Sequence, residues 1–236
     1  MEYDFAIVYF GLTRSTKKVY DSHIKNVYNV LDKHNLTYKK FMHTWKTKDN
    51  TQRVWNKIIP QEIDYSEYKL LNPDFYKIDN QEDFITTVNI DDFYYKHHAN
   101  NEWIPELIMN HICALESMKR SLEMVEDYMN NGNSQFKYIM FIRPDVICNN
   151  ELPLHQIIPN EDKINIPNNS HYEGYNDRFA IMNYKNACFY GKRINELAEF
   201  RKRNGRIVSE KYVKFIINKY NLKINEINFN FDIIRP

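Results

Sequence analysis

Two hydrophobic rhythms alternate along the chain, and their order predicts its elements. Asp4-Phe5-Ala6-Ile7-Val8-Tyr9-Phe10 is a continuous apolar run, the signature of a buried strand. Gly11-Leu12-Thr13-Arg14-Ser15 then reads as a tight turn. Val19, Tyr20, Ile24, Val27, Tyr28 and Leu31 follow at three-to-four spacing, so a helix is expected after the turn. Tyr38 to Trp45 suggests a second strand. Residues 46–100 are polar, aromatic and irregular, with a weak strand pattern at Thr87-Val88-Asn89-Ile90. From Pro105 to Asn131 the residues Leu107, Ile108, Ile112, Leu115, Met118, Leu122, Val125 and Met129 form one apolar stripe. Pro105 suits a first helical position and Gly132 a left-handed residue after the end.

Phe136 to Ile142 is nearly all apolar, which predicts a central strand covered on both faces and ended by Arg143-Pro144-Asp145. Beyond it the pattern gives a short strand near Lys163–Ile166, a polar loop 167–177 and a strand Arg178–Met182. Helices are expected from Tyr184 to Arg203 and near Ser209–Tyr220, with closing strands around Leu222, Ile224, Ile227, Phe229 and Phe231. Strand and helix alternate throughout, which predicts a single α/β domain over residues 1–236.

The chain's 236 residues suffice for a sizeable core, and 43% of them are hydrophobic. Lys and Arg total 32 against 31 Asp and Glu, a net charge of +1 that argues against a nucleic-acid partner held by a long basic face. Apolar runs are too short to span a bilayer, so no membrane span and a cytoplasmic location are expected. Cys113, Cys148 and Cys188 are odd in number and widely spaced, as free thiols would be.

In open α/β sheets ligands bind beyond the carboxyl ends of the strands. Four segments occupy such places. Gly11-Leu12-Thr13-Arg14 offers a glycine turn, a helix N-terminus and an arginine for a diphosphate, and reads equally as an ordinary strand-to-helix turn. His43-Thr44-Trp45 offers an aromatic face and polar atoms to a base or sugar, or is a strand end closed by a half-buried tryptophan. Arg143-Pro144-Asp145 displays a carboxylate suited to a divalent cation, unless Asp145 pairs with Arg143 or caps a turn. Tyr172-Glu173-Gly174-Tyr175-Asn176-Asp177-Arg178 places acids beside rings, as a sugar-handling surface does, although a solvated loop has the same composition. His97-His98, His111, Lys39-Lys40 and Arg201-Lys202-Arg203 read as solvated side chains, and Asp91-Asp92 as a turn.

Taken in order, Gly11-Leu12-Thr13-Arg14, Phe41-Met42-His43-Thr44-Trp45, Tyr138 to Asp145 (YIMFIRPD) and Asn176-Asp177-Arg178-Phe179-Ala180-Ile181 resemble a glycosyltransferase of the GT-A type. The chain is similar to small cytosolic sugar transferases of bacterial polysaccharide clusters and large DNA viruses. The resemblance implies a GT-A-like, mostly parallel central sheet flanked by helices, and transfer of a sugar from a nucleoside-diphosphate sugar to a glycan or other hydroxyl acceptor. It assigns Gly11, Leu12, Thr13, Arg14, Thr44, Trp45, Arg143 and Asp145 to the donor, and Tyr172, Glu173, Asn176 and Arg178 to the sugar or acceptor. Asp177 becomes the catalytic carboxylate, a base in an inverting enzyme or a stabilising charge in a retaining one, and Asp145 the ligand of a divalent metal, Mn or Mg. The family's Asp-x-Asp motif has Arg143 at its first position here. A non-catalytic scaffold of the same fold that binds a nucleotide, glycan or protein is the alternative.

Overall fold

The structure, a computed structural model, describes residues 1–47, 51–54, 57–60, 63–94, 105–132, 134–204 and 207–234. Its order is β1 (Glu2–Phe10), α1 (Thr16–His23), a π-helical stretch (Ile24–Tyr28), α2 (Asn29–Lys33), β2 (Tyr38–Lys46) and the hairpin β3 (Thr51–Val54) with β4 (Lys57–Pro60). There follow β5 (Phe75–Asn80), α3 (Gln81–Ile85), α4 (Pro105–Gly132), β6 (Gln135–Ile142), β7 (Val146–Cys148), α5 (Leu154–Ile157), β8 (Ile164–Pro167) and β9 (Phe179–Met182). The chain closes with α6 (Tyr184–Gly191), α7 (Leu197–Asn204), α8 (Ser209–Lys219), β10 (Ile224–Ile227) and β11 (Phe231–Ile233).

Seven strands form the central sheet in the order β10-β8-β9-β6-β1-β2-β5. β9 runs antiparallel to both neighbours, and every other pairing in the sheet is parallel. This is the α/β architecture that the apolar pattern predicts and the helix-flanked, mostly parallel sheet that the resemblance implies. β1 and β6 lie at its centre because their side chains are apolar on both faces. Phe5, Ile7, Tyr9, Tyr138, Met140 and Ile142 pack on one side with Val27, Leu31 and Phe229. Ala6, Val8, Phe10, Ile139 and Phe141 pack on the other against Met118, Leu122 and Val125 of α4. Each large side chain so buried contributes roughly 1.5–3 kcal/mol.

The register brings strand ends together. Tyr9 pairs with Ile142, Ile142 with Phe179, and Phe10 with His43. Gly11, Arg143 and Arg178 therefore follow or precede neighbouring strands at one edge of the sheet, where the last residues of β2 also lie. Because β9 runs backwards, its N-terminal end shares that edge with the carboxyl ends of β1, β2 and β6.

Several expectations are corrected. Thr87–Ile90 forms no strand: Thr87 and Val88 close a turn after α3, and Ile90–Asp92 is a single 3-10 turn whose preceding Asn89 accepts the Asp91 N–H. The sheet's outer strand in this region is β5, most of whose residues are exposed, so no apolar alternation marks it. The helix expected over Tyr184–Arg203 breaks at the 3-10 turn Arg193–Glu196, where the buried Arg193 turns back to donate from Nη1 to the Tyr190 carbonyl. Gly132 stays inside the last turn of α4, and Gly11 is the glycine with positive φ among the described residues. Arg201 is buried, not solvated. Cys113, Cys148 and Cys188 are free thiols. No helix among the described residues is long and apolar enough to cross a membrane.

Candidate functional site

A cavity of about 1240 Å³ opens at the edge where β1, β2 and β6 end. Gly11, Leu12, Arg14, Trp45, Arg143, Tyr172, Glu173, Asp177 and Arg178 line it, all expected site residues. The sheet register collects them: Gly11, Leu12 and Arg14 follow β1, Arg143 follows β6, Trp45 is near the end of β2, and the others lie in the loop that leads into β9.

Gly11 sits at φ 97°, open to glycine and strained for other residues, and a Cβ there would meet no atom within 4 Å. The turn is fixed by its backbone: the Gly11 N–H donates to Ser117 Oγ at 2.8 Å. Ser117 Oγ also lies 2.8 Å from His43 Nδ1, and His43 Nε2 lies 3.2 Å from Asp79. Burial lowers His43 to about 4, so the ring is neutral near pH 7. With Nε2–H donating to Asp79, the one Ser117 hydroxyl proton has two acceptors in reach, His43 Nδ1 at 2.8 Å and the His43 carbonyl at 2.9 Å. A Ser-His-Asp connectivity results, but the serine and histidine are fully buried and line no part of the cavity. Its role is to hold the Gly11 turn.

The second wall feature is a carboxylate between two guanidiniums. Asp145 is 0% exposed, and Arg143 donates from Nε at 2.8 Å and from Nη2 at 2.7 Å, while Arg14 Nε donates at 3.2 Å. Burial alone would raise the Asp145 carboxyl, yet the charges and hydrogen bonds of Arg143 and Arg14 bring it down to about 2. Arg143 is held up by the same pairing against the pull of burial, whereas burial lowers Arg14. Two cations and one anion leave one net positive charge beside the cavity.

This corrects the expectation that Asp145 is displayed for a metal. Both of its oxygens already accept from arginines, and among the described residues no group of three or more His, Cys, Asp or Glu is placed to hold an ion. The site's residues do not fit Mn or Mg. The proline after β6 does stop the strand, but Arg14, delivered by the turn of the neighbouring strand, and Arg143 cover the acid.

The cavity lining also includes an acidic corner. Asp177, at the end of the loop before β9, has Oδ1 3.7 Å from Arg178 Nε and no hydrogen bond to that buried atom. Arg178 Nη2 lies 3.5 Å from Oε1 of Glu210, the second residue of α8, whose Oε2 accepts from Ser209 Oγ at 3.0 Å. Burial first, and then the Asp177 charge, push Glu210 up to about 7. The loop is pressed onto α8 because Gly174 has no side chain. A Cβ there would stand 1.9 Å from the Glu210 carbonyl oxygen, which instead accepts the Tyr175 N–H at 3.0 Å. Tyr172 and Glu173 take positive φ of 38° and 71°, and the Tyr172 ring, 64% exposed, stands at the rim with the Arg178 guanidinium 5.9 Å from its centre.

Other expected residues are placed elsewhere. Thr13 is buried, its carbonyl accepting from Thr16 Oγ1. Thr44 is buried and, one position past His43, points to the opposite face of β2 from α4. Asn176 is buried and ties its own loop, donating to the Asn169 carbonyl and accepting the Arg178 N–H at 2.9 Å. Trp45 lines the cavity but is only 1% exposed: Phe84 stacks on it, Arg120 lies 4.8 Å over the ring, and Nε1–H donates to the Cys113 carbonyl. No open ring face remains there for a base. Glu173 pairs with Lys211. His97 and His98 lie outside the described residues, and His111 is half-buried on α4, lining the cavity, and burial lowers it to about 4.

Glu210, Ser209, His111 and Arg193 line the cavity without having been singled out for it from the sequence. The signal for Glu210 was its place at the start of a helix next to Gly174 in space, which no sequence spacing reveals.

The family model described as Domain of unknown function (DUF7796) matches residues 104–235, more than half of the chain. The chain belongs to the DUF7796 family. Its matched segment carries Arg143, Asp145, Asp177, Arg178 and Glu210, while Gly11, Arg14 and Trp45 precede it. No curated protein sequence matches the chain. Among solved structures, it is similar in fold to the galactosyltransferase LgtC in complex with donor and acceptor sugar analogs, at a TM-score of 0.43 and 10% identity over 96% of this chain and 73% of that one. Mouse xyloside xylosyltransferase 1 in its apo form aligns at a TM-score of 0.41 and 8% identity, over 96% of this chain and 85% of that one.

Proposed function

We propose that the chain is a glycosyltransferase that moves a sugar from a nucleoside-diphosphate sugar to a glycan or other hydroxyl acceptor. The observation that carries this reading is one cavity lined by both the cations Arg14 and Arg143 and the acids Asp177 and Glu210, at the carboxyl edge of a mostly parallel sheet. The GT-A resemblance of the motifs at Gly11–Arg14, Arg143–Asp145 and Asn176–Ile181 points the same way.

Breaking the bond from the anomeric carbon to a diphosphate leaves an electron pair on a phosphate oxygen. Preorganised guanidiniums beside that oxygen lower the barrier without metal. Arg14 and Arg143 serve this role, fixed by Asp145. Asp177 acts on the acceptor hydroxyl or on the sugar's developing positive charge, and Tyr172 gives the sugar an apolar face.

The test is a panel of UDP-, GDP-, CDP- and TDP-sugars, read by thermal shift and calorimetry in the presence of EDTA. A donor that binds raises the melting temperature by mass action, and release of its nucleoside diphosphate with an acceptor present completes the case. If no donor binds at millimolar concentration, the reading is wrong. A donor that binds without turnover supports the scaffold instead.

A further inference from the structure

We propose that Asp177 and Glu210 work as one proton-binding unit on the acceptor side of the cavity, which makes Glu210 a second catalytic carboxylate. This rests on the transferase reading above and goes beyond it in naming the base.

The geometry comes first. Both side chains line the same cavity, and Arg178 lies within 3.7 Å of Asp177 and 3.5 Å of Glu210, too far on either side for a tight fork. Asp177 Oδ1 is buried without a hydrogen bond, an acceptor held ready with nothing donated to it. The two acids come from different elements, and their proximity is enforced by the contact of Gly174 on the Glu210 backbone. A merely structural pair would be expected to close its hydrogen bonds, as Asp145 does with its arginines.

The chemistry follows from the crowding. A lone aspartate of ordinary acidity is a weak base toward a sugar hydroxyl, and base catalysis is most effective when the acceptor's pKa lies near the working pH. Two carboxylates in one partly dry corner bind their first proton more tightly, and the titration belongs to the pair. Glu210, pushed up to about 7 by burial and by Asp177, has this property. Arg178 and the Ser209 hydroxyl on α8 counter the rise. Arg143 at the end of β6 and His111 on α4 face Asp177, and Arg193 faces His111.

In the step itself the acceptor oxygen forms its bond to the anomeric carbon as the bond to the diphosphate oxygen breaks. That electron pair leaves with the diphosphate, and the hydroxyl proton passes to the Asp177–Glu210 pair, from which water later removes it.

Two measurements test this. Carbon-13 NMR of the side-chain carboxyls in the intact wild-type protein should show one glutamate titrating near neutral pH. Its signal should vanish in Glu210→Gln, and its midpoint should fall in Asp177→Asn. A wild type in which every glutamate titrates in the ordinary range overturns the proposal, with no variant needed. In the kinetic arm, Glu210→Gln should lower kcat at pH 7 by about 10–100-fold and remove the acid limb of the pH profile, with donor KM unchanged; Glu210→Asp should restore part of both. If donors are turned over and Glu210→Gln transfers as well as wild type, the shared base is wrong and the transferase reading stands. If the neutral titration is found but no donor binds, the pair is supported and the transferase reading falls.

Discussion

The two ion clusters flanking the cavity use the same ingredients in opposite ways. In Arg14–Asp145–Arg143 the acid is fully buried and accepts three hydrogen bonds of 2.7–3.2 Å. In Asp177–Arg178–Glu210 the arginine stands 3.5–3.7 Å from two acids, and one buried carboxylate oxygen lacks a hydrogen bond. Closed bonds fix charge: the first cluster keeps its carboxylate ionised to about pH 2 and presents guanidiniums whose orientation is set. In the second cluster burial and the neighbouring Asp177 charge, weakly countered by the distant arginine, push Glu210 up to about 7. The strength of the pairing separates a cluster of fixed charge from one whose charge can change.

The largest effect expected from breaking this contrast is at Asp145. Asp145→Ala strands two guanidiniums and should cost about 3–5 kcal/mol in urea denaturation, nearer the lower figure because both arginines keep some access to water. Asp177→Ala should change stability by less than about 1 kcal/mol while reducing kcat by about 10²–10⁴-fold. Equal destabilisation by the two variants would erase the distinction.

The second effect is a split in pH dependence. From pH 8 to 5 donor affinity, measured calorimetrically, should stay level because Asp145 remains ionised throughout, whereas kcat should drop about tenfold per unit below the pair's midpoint. Stability carries a matching sign. Between Glu210's ordinary 4.5 and about 7 the folded chain holds a proton that the unfolded chain has released, so this group's contribution declines as pH rises across that window. His23, His43 and His111, each lowered to about 4 by burial, act in the opposite sense as pH falls below 6.5. They are common to wild type and Glu210→Gln, so the difference between their unfolding curves isolates the glutamate.

A smaller effect separates the two glycines that serve the clusters. Gly174→Ala drives a methyl into the Glu210 carbonyl and should cost about 1–3 kcal/mol, with the acid limb moving to lower pH as the acids part. Gly11→Ala has room but an unfavourable φ and should cost about 1–2 kcal/mol with that limb in place. The smallest effect is at the metal: EDTA should leave donor affinity and kcat unchanged, since arginines hold the place of an ion.

Much of the frame was legible because β1, β6 and α4 are long, apolar and periodic. β5 was not, since an exposed outer strand has no buried face to impose alternation. The helix expected over Tyr184–Arg203 failed for a local reason, the buried Arg193 turning back on Tyr190, which periodicity does not register. At the site, residues beside strand ends were found because topology alone carries them to the cavity: Gly11, Arg14, Arg143, Asp177 and Arg178. Of the two readings of Asp145, the pairing with Arg143 is the one the structure shows, and the added partner Arg14 was not legible because it is distant in sequence. Glu210 went unnoticed for a related reason, its neighbour Asp177 lying on another element.

The reversed direction of β9 has a consequence for how such a protein diversifies. Between β8, which ends at the cavity edge, and β9, which begins there, residues 168–178 hang over the opening and carry Tyr172 and Asp177. Residues can be inserted or removed around the exposed Tyr172 and Glu173 without shifting any strand, whereas Gly174 to Asp177 are held against α8, and exposed surface connections tolerate such changes well. Arg14 and Arg143 follow parallel strands within a few residues and have no such latitude. On the transferase reading, variation in acceptor choice would be concentrated in that exposed stretch, while the grip on the leaving group would be inherited with the sheet.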